Sequence, residues 1–239
     1  MRLIQSTKAA LFILAILAIN SCSKPSTNGP YQVSDVDGNL YDTIHIGQQI
    51  WMKENLGATH FRDGTVIAEI EDGASWASII NSGAKTVAFC NYNKKDSLGT
   101  VYGKLYNWYA VTATNQLCPV NWHVPTDTEW HTLALVLDSS ASWGPDESEI
   151  GGGKLKAINL WPAPNTGATL ANSFAAYPGG ARSDNGTFQS IGTTAYFWTS
   201  THGANSGLAW ARSLPDDSAT INRGDANTCN GYSVRCLHD

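Results

Sequence analysis

The sequence predicts a single α+β domain, rich in short strands and loops, behind an N-terminal export segment. Three observations predict it. Nine Trp, nine Tyr and 22 Gly stand against 15% charged residues, a composition of packed aromatics and turns rather than a helical bundle. Short runs of alternating or β-branched residues, bounded by Gly, Asn and Asp, recur along the chain. One segment, residues 126–137, carries a complete helix signature. Aromatic and β-branched residues are too plentiful for a disordered chain.

The export segment comes first. Arg2 and Lys8 are the only charges before Cys22, and residues 9–19 read AALFILAILAI. That run is too short for a membrane-spanning helix, which needs roughly 20 residues. A basic start followed by a short apolar stretch reads as a secretory signal. Ile19-Asn20-Ser21-Cys22 then resembles a bacterial lipobox, which predicts cleavage after residue 21 and lipidation of Cys22. The alternative is ordinary signal cleavage with Cys22 a spare thiol. Residues 22–32 open with SKPSTNGP after the cysteine, a polar tether that cannot pack a core. The folded domain is therefore expected over residues 33–239, held to the bacterial outer membrane through Cys22. No acidic run follows the cysteine, which favours the periplasmic face over the cell surface. Losing residues 1–21 removes Arg2 and Lys8 and moves the formal charge from −5 to −7. That balance argues against nucleic acid as a partner.

Within the domain, residues 35–39 read DVDGN, turn chemistry between two strands. A calcium loop is the competing reading, but an EF-hand needs Gly at its sixth position and Glu at its twelfth. Counted from Asp35, the Gly comes too early, and the twelfth residue is Ile46. Residues 40–52 predict a strand, a turn at Gly47-Gln48 and a returning strand. Residues 61–65, FRDGT, predict another hairpin turn. Leu105, Trp108, Tyr109 and Thr112 recur at helical spacing, predicting a short helix within residues 102–111.

Thr126-Asp127-Thr128-Glu129 is a capping box, and Trp130, Leu133, Ala134 and Leu137 form the apolar stripe behind it. His123, Glu129 and His131 invite a metal or acid–base reading. Capping already explains Glu129, and His131, one past Trp130, is expected on the solvent side. Gly151-Gly152-Gly153 predicts a flexible loop and lacks the Lys-Ser/Thr of a phosphate loop. Residues 162–195 predict a long loop region, with turns at residues 179–182 and 184–186. Short strands follow at residues 196–200, 207–214, 219–223 and 231–237.

Four cysteines remain in the domain: Cys90, Cys118, Cys229 and Cys236. An even number in an exported domain predicts disulfides, and four allow three pairings. No two are spaced as CxxC, so a zinc site has no support.

Residues 35–56 (DVDGNLYDTIHIGQQIWMKENL), 102–111 (YGKLYNWYAV), 117–133 (LCPVNWHVPTDTEWHTL), 197–201 (FWTST) and 231–236 (GYSVRC) occur in one order. Together they resemble the Fibrobacter succinogenes major paralogous domain family over about residues 33–237. The family has no established biochemical activity. It looks related to the C-type lectin-like fold. Residues 118–130 are similar to the LPT-xx-EW stretch of formylglycine-generating-enzyme-like domains, a branch of that fold. The resemblance implies two short helices beside a small twisted antiparallel sheet, with a long loop-rich region. It also implies a Cys118–Cys236 disulfide, with Cys90–Cys229 following. Cys90–Cys118 with Cys229–Cys236 is the local alternative. The EPN, QPD and WND triplets of calcium-dependent lectins are absent, and no paired active-site cysteines are evident. The fold carries over; neither activity does.

Three functions fit. The first is a membrane-anchored, non-catalytic cell-envelope module that binds a glycan or an envelope protein. The second is a structural or assembly subunit of an envelope complex. The third is an enzyme related to formylglycine-generating-enzyme-like domains, but no nucleophile elbow, HExxH or paired-carboxylate motif appears. Neither catalytic residues, a cofactor nor a metal is expected. Arg182, Asp184, Asn185, Trp198, Asn205 and Arg212 are the candidate ligand residues, on or beside the long loops. Trp143, Trp161, Trp198 and Trp210 are candidate stacking platforms, with a core role as the plain reading for Trp198 and Trp210.

Overall fold

The computed structural model describes residues 32–82, 85–169 and 173–239. The expected signal segment, Cys22 and nearly all of the tether lie outside them. Among the described residues no helix is long and apolar enough to cross a membrane.

Strands β1 (Gln32–Ser34), β2 (Leu40–Ile46) and β3 (Gln49–Met52) form a meander. The turn at Gly47-Gln48 pairs Ile46 with Gln49. Gly47 sits at φ +61, where a Cβ is disfavoured, and Val136 packs directly against it. The sheet continues through β14 (Leu237–His238) to β7 (Trp122–His123), in the order β1-β2-β3-β14-β7. A three-stranded sheet joins β4 (Ala68–Glu69), β5 (Ala88–Cys90) and β6 (Leu105–Tyr106). The third sheet runs β10-β9-β11-β12-β13-β8. Its strands are β8 (Asp146–Ser148), β9 (Gly179–Arg182), β10 (Phe188–Ile191), β11 (Thr194–His202), β12 (Leu208–Pro215) and β13 (Ile221–Asn227). Pairing is antiparallel except for β9 with β11 and β4 with β5.

Period-two alternation on β3 and β11 creates two cores. Trp51 and Met52 are neighbours on β3, both fully buried, and enter different cores. Phe197 and Trp198 do the same on β11. One core gathers Trp51, Phe174, Phe197, Leu214 and Ile221 against the helix α4 (Asp127–Leu137), through Trp130, Leu133, Ala134 and Leu137. The other gathers Met52, Tyr106, Trp108, Trp198, Val234 and Cys236. The Cys118–Cys236 disulfide forms as the resemblance implied, with a sequence separation of 118. Closing a loop of that length removes about 4–5 kcal/mol of chain entropy from the unfolded state.

Several local expectations hold. Thr126 and Glu129 form the reciprocal capping box, and α4 spans the expected residues. The turn at residues 61–65 closes with Phe61 N–H on the Thr65 carbonyl. Others change. Leu105 and Tyr106 are strand, and the helix nearby is only α3 (Trp108–Val111), because the Asn107 side chain accepts Ala110 N–H and caps it there. The glycine triplet opens a short helix, α5 (Gly151–Leu155), instead of a flexible loop. A Cβ on Gly152 would run into the Thr220 carbonyl, and one on Gly153 into the Gly167 carbonyl. The triplet is there for close packing. Residues 179–182 are a strand rather than a turn. With α1 (Gly73–Asn81) and α2 (Asp96–Tyr102) added, the described residues hold five α-helices where two were expected, and three sheets where one was.

Cys90 and Cys229 do not form the second disulfide. Both are buried in one apolar cluster with Trp76 and Leu105, but their thiols meet different groups. Cys90 faces Arg182, and Cys229 faces Tyr109 and Thr228. Burial pushes the Cys90 thiol up to about 12, which keeps it protonated.

Candidate functional site

The clearest built feature lies where α4 crosses β12 and β13. Helical spacing puts Asp127 and His131 on one face of α4. Cross-strand register puts Arg212 of β12 beside Arg223 of β13 on the same side of the sheet. Two arginines so placed repel unless acids intervene. Asp127 Oδ1 accepts from Arg212 Nη1 at 2.7 Å, and Asp127 Oδ2 from Arg223 Nη2 at 2.7 Å. Glu147, delivered by β8, accepts from Arg212 Nε at 2.5 Å and meets His131 Nδ1 at 2.7 Å. Burial pushes the Asp127 carboxyl up, but the Arg223 and Arg212 contacts outweigh it and hold it below the usual carboxylate range. Arg212 and Glu147 are essentially inaccessible.

Trp143 covers this network. Its ring stacks on His131 at 3.9 Å between centroids, with 24° between planes. The Arg223 guanidinium lies 5.0 Å from the Trp143 ring and 3.4 Å from that of Trp210. Trp143 nevertheless remains 52% exposed. Part of the ring is therefore open to solvent. Asp225, the cross-strand partner of Trp210, and Asp146 on β8, three residues after Trp143, are exposed.

A groove of about 430 Å³ lies between β2 and α2, bordered by Asn39, Glu54, Thr59, Thr100 and Lys104. Burial raises the Glu54 carboxyl. Lys104 Nζ is occupied by Asn91 Oδ1 at 2.8 Å. At the end of β1, Asp35 Oδ1 accepts the N–H groups of Asp37 and Asn39, and Oδ2 accepts the Tyr41 hydroxyl at 2.6 Å. That carboxylate shapes the turn. Among the described residues, no group of three His, Cys, Asp or Glu is arranged to hold a metal.

Two further histidines, His60 and His123, are tied to acids. His123 Nε2 meets Glu129 at 3.0 Å, and its Nδ1 meets Asp239 at 2.6 Å. His131 was expected on the solvent side; it is 9% exposed, because Glu147 and Trp143 draw it inward. Thr59, His60 and Asp37 imitate a triad on paper. His60 uses the same nitrogen, Nδ1, toward both Thr59 and Asp37, so it cannot relay a proton between them.

The six residues predicted to meet a ligand do not converge. Arg182 is fully buried, donating to the carbonyls of Ile70, Glu71 and Gly186 between the rings of Trp76 and Phe188. Trp198 is fully buried and donates to the Tyr106 carbonyl. Arg212 is fully buried in the network above. These three are inaccessible to a ligand. Asp184 is half-buried: Asn227 Nδ2 donates to its carboxylate, and its own N–H donates to Asn230 Oδ1. Asn185 and Asn205 are exposed, on separate turns. Of the candidate platforms, Trp161 is buried and donates to the Ala176 carbonyl. Trp143 is the one that stays open. Glu147 and Arg223 were not among the predicted site residues, and the expected strand at residues 219–223 was the only signal for Arg223.

Curled, mostly antiparallel sheets with few helices, closed by one cystine, define an α+β domain. The chain belongs to the Fibrobacter succinogenes major domain family, whose model matches residues 44–238. No curated protein matches the chain, and no solved structure does.

Proposed function

We propose that the protein is a lipid-anchored, non-catalytic binding module of the bacterial outer membrane, with a C-type lectin-like fold. Trp143 carries the reading: an open aromatic ring, held from beneath by His131 and Arg223, is what a recognition surface requires. His60, His123 and His131 are each engaged with a carboxylate. The lipobox-like residues 19–22 and the polar tether support the anchor. A cystine joining residue 118 to the end of the chain, with α4 between, supports the lectin-like relationship.

Two experiments test this. Cells fed a labelled fatty acid are expected to label the wild-type chain and not Cys22→Ser; equal labelling removes the anchor from the account. The purified domain, screened against envelope glycans and extracts, is expected to bind without turnover. Turnover abolished by one point substitution would replace the module with an enzyme.

A further inference from the structure

We propose that Trp143 is the stacking platform for one ring of a neutral glycan. This rests on the binding-module reading and names its ligand class. The exposed part of the Trp143 indole presents a π surface that suits the C–H face of a pyranose. Its orientation is set in advance, because His131 and Arg223 beneath it are themselves fixed by Glu147 and Asp127. Little ordering entropy is then lost on binding.

The surroundings select a sugar over a protein. A protein interface needs a contiguous apolar core. Trp143 has Ser142 and Gly144 on either side, with Asp146 two residues beyond. One exposed ring flanked along the chain by small and polar residues matches the footprint of one sugar.

The charges select a neutral sugar. Arg212 and Arg223 are engaged by Asp127 and Glu147, so neither offers a free cation. Asp146 and Asp225 are exposed, their carboxylates make no hydrogen bond or ion pair among the described residues, and they supply acceptors for sugar hydroxyls. They repel uronate or sulfate.

Calorimetric titration of the mature chain tests this, with neutral hexasaccharides of glucose, mannose and xylose, and an oligogalacturonate as the acidic counterpart. At least one neutral saccharide is expected to bind, and more tightly than the acidic one. Trp143→Ala is expected to weaken binding about tenfold, while Trp143→Phe retains part of it. Asp225→Asn is expected to narrow the preference against the acidic saccharide without changing the thermal midpoint. Absence of neutral-saccharide binding overturns the inference, as does preference for the acidic one or indifference to Trp143→Ala. Binding of a purified envelope protein unaffected by Trp143→Ala, with no saccharide bound, would sink the sugar and leave the module standing. Saccharide turnover would sink the module itself.

Discussion

Arg182 and Arg212 are equally buried, yet they are accommodated in different ways. Arg182 donates to three main-chain carbonyls and lies between two aromatic rings. Those partners belong to the backbone and end where they begin. Arg212 is met by two carboxylates, and each leads onward: Asp127 to Arg223, Glu147 to His131. Both branches end beneath Trp143. The first arrangement joins loops to a sheet. The second carries order from the core to the surface, and its cost is dependence on matched charge.

The largest expected effect breaks that matching. Glu147→Gln leaves Arg212 short of a counter-charge, and removing one partner of a buried pair costs about 3–5 kcal/mol. Urea unfolding measures it, and a loss below about 1 kcal/mol would mean the charges are not coupled. Arg182→Met sits next, because it strands carbonyls rather than charges, at about 1–3 kcal/mol. The two variants should keep that rank.

A pH series sharpens the contrast with a more exposed pair. Burial pushes Glu129 up, but hydrogen bonds from His123 and Thr126 prevail and lower it from 4.5 to about 2. Its contribution is present above 4.5 and fades as pH falls toward 2. Hydrogen bonding to Glu129 raises His123 above 6.5, against burial and with help from Asp239. That contribution is complete below 6.5 and fades as pH rises through the raised value. The stability lost in His123→Gln is therefore expected to be greatest between pH 4.5 and 6.5, with both flanks shallower. A difference that does not shrink below pH 4.5 and again above the raised His123 value would contradict the pairing. Smallest is Trp143→Ala, at about 0.5 kcal/mol or less, as expected for a surface change. A large loss there would make Trp143 a structural residue.

The same contrast explains what was legible in the sequence. The capping box of α4 and the Gly47-Gln48 turn are local: the residues that make the contact lie within a few positions of one another. The site is not. His131 turns inward because of Glu147, and Arg223 is fixed by Asp127 across 96 positions. Arg182 and Trp198 looked available because they flank loops. They are closed off by Ile70, Glu71 and Tyr106, which only the fold brings near. The glycine triplet misled for the same reason, since its neighbours are the distant Thr220 and Gly167 carbonyls. Cys118–Cys236 came from resemblance, and the spacing of the cysteines alone left all three pairings open.

The order parameter of the Trp143 indole N–H, measured by relaxation in the protein and in its His131→Ala variant, tests the central claim most directly. A platform fixed from beneath predicts a value near that of rigid backbone, about 0.85, falling in the variant. A wild-type value below about 0.6, or one indifferent to His131, would show that the buried charges do not hold the ring.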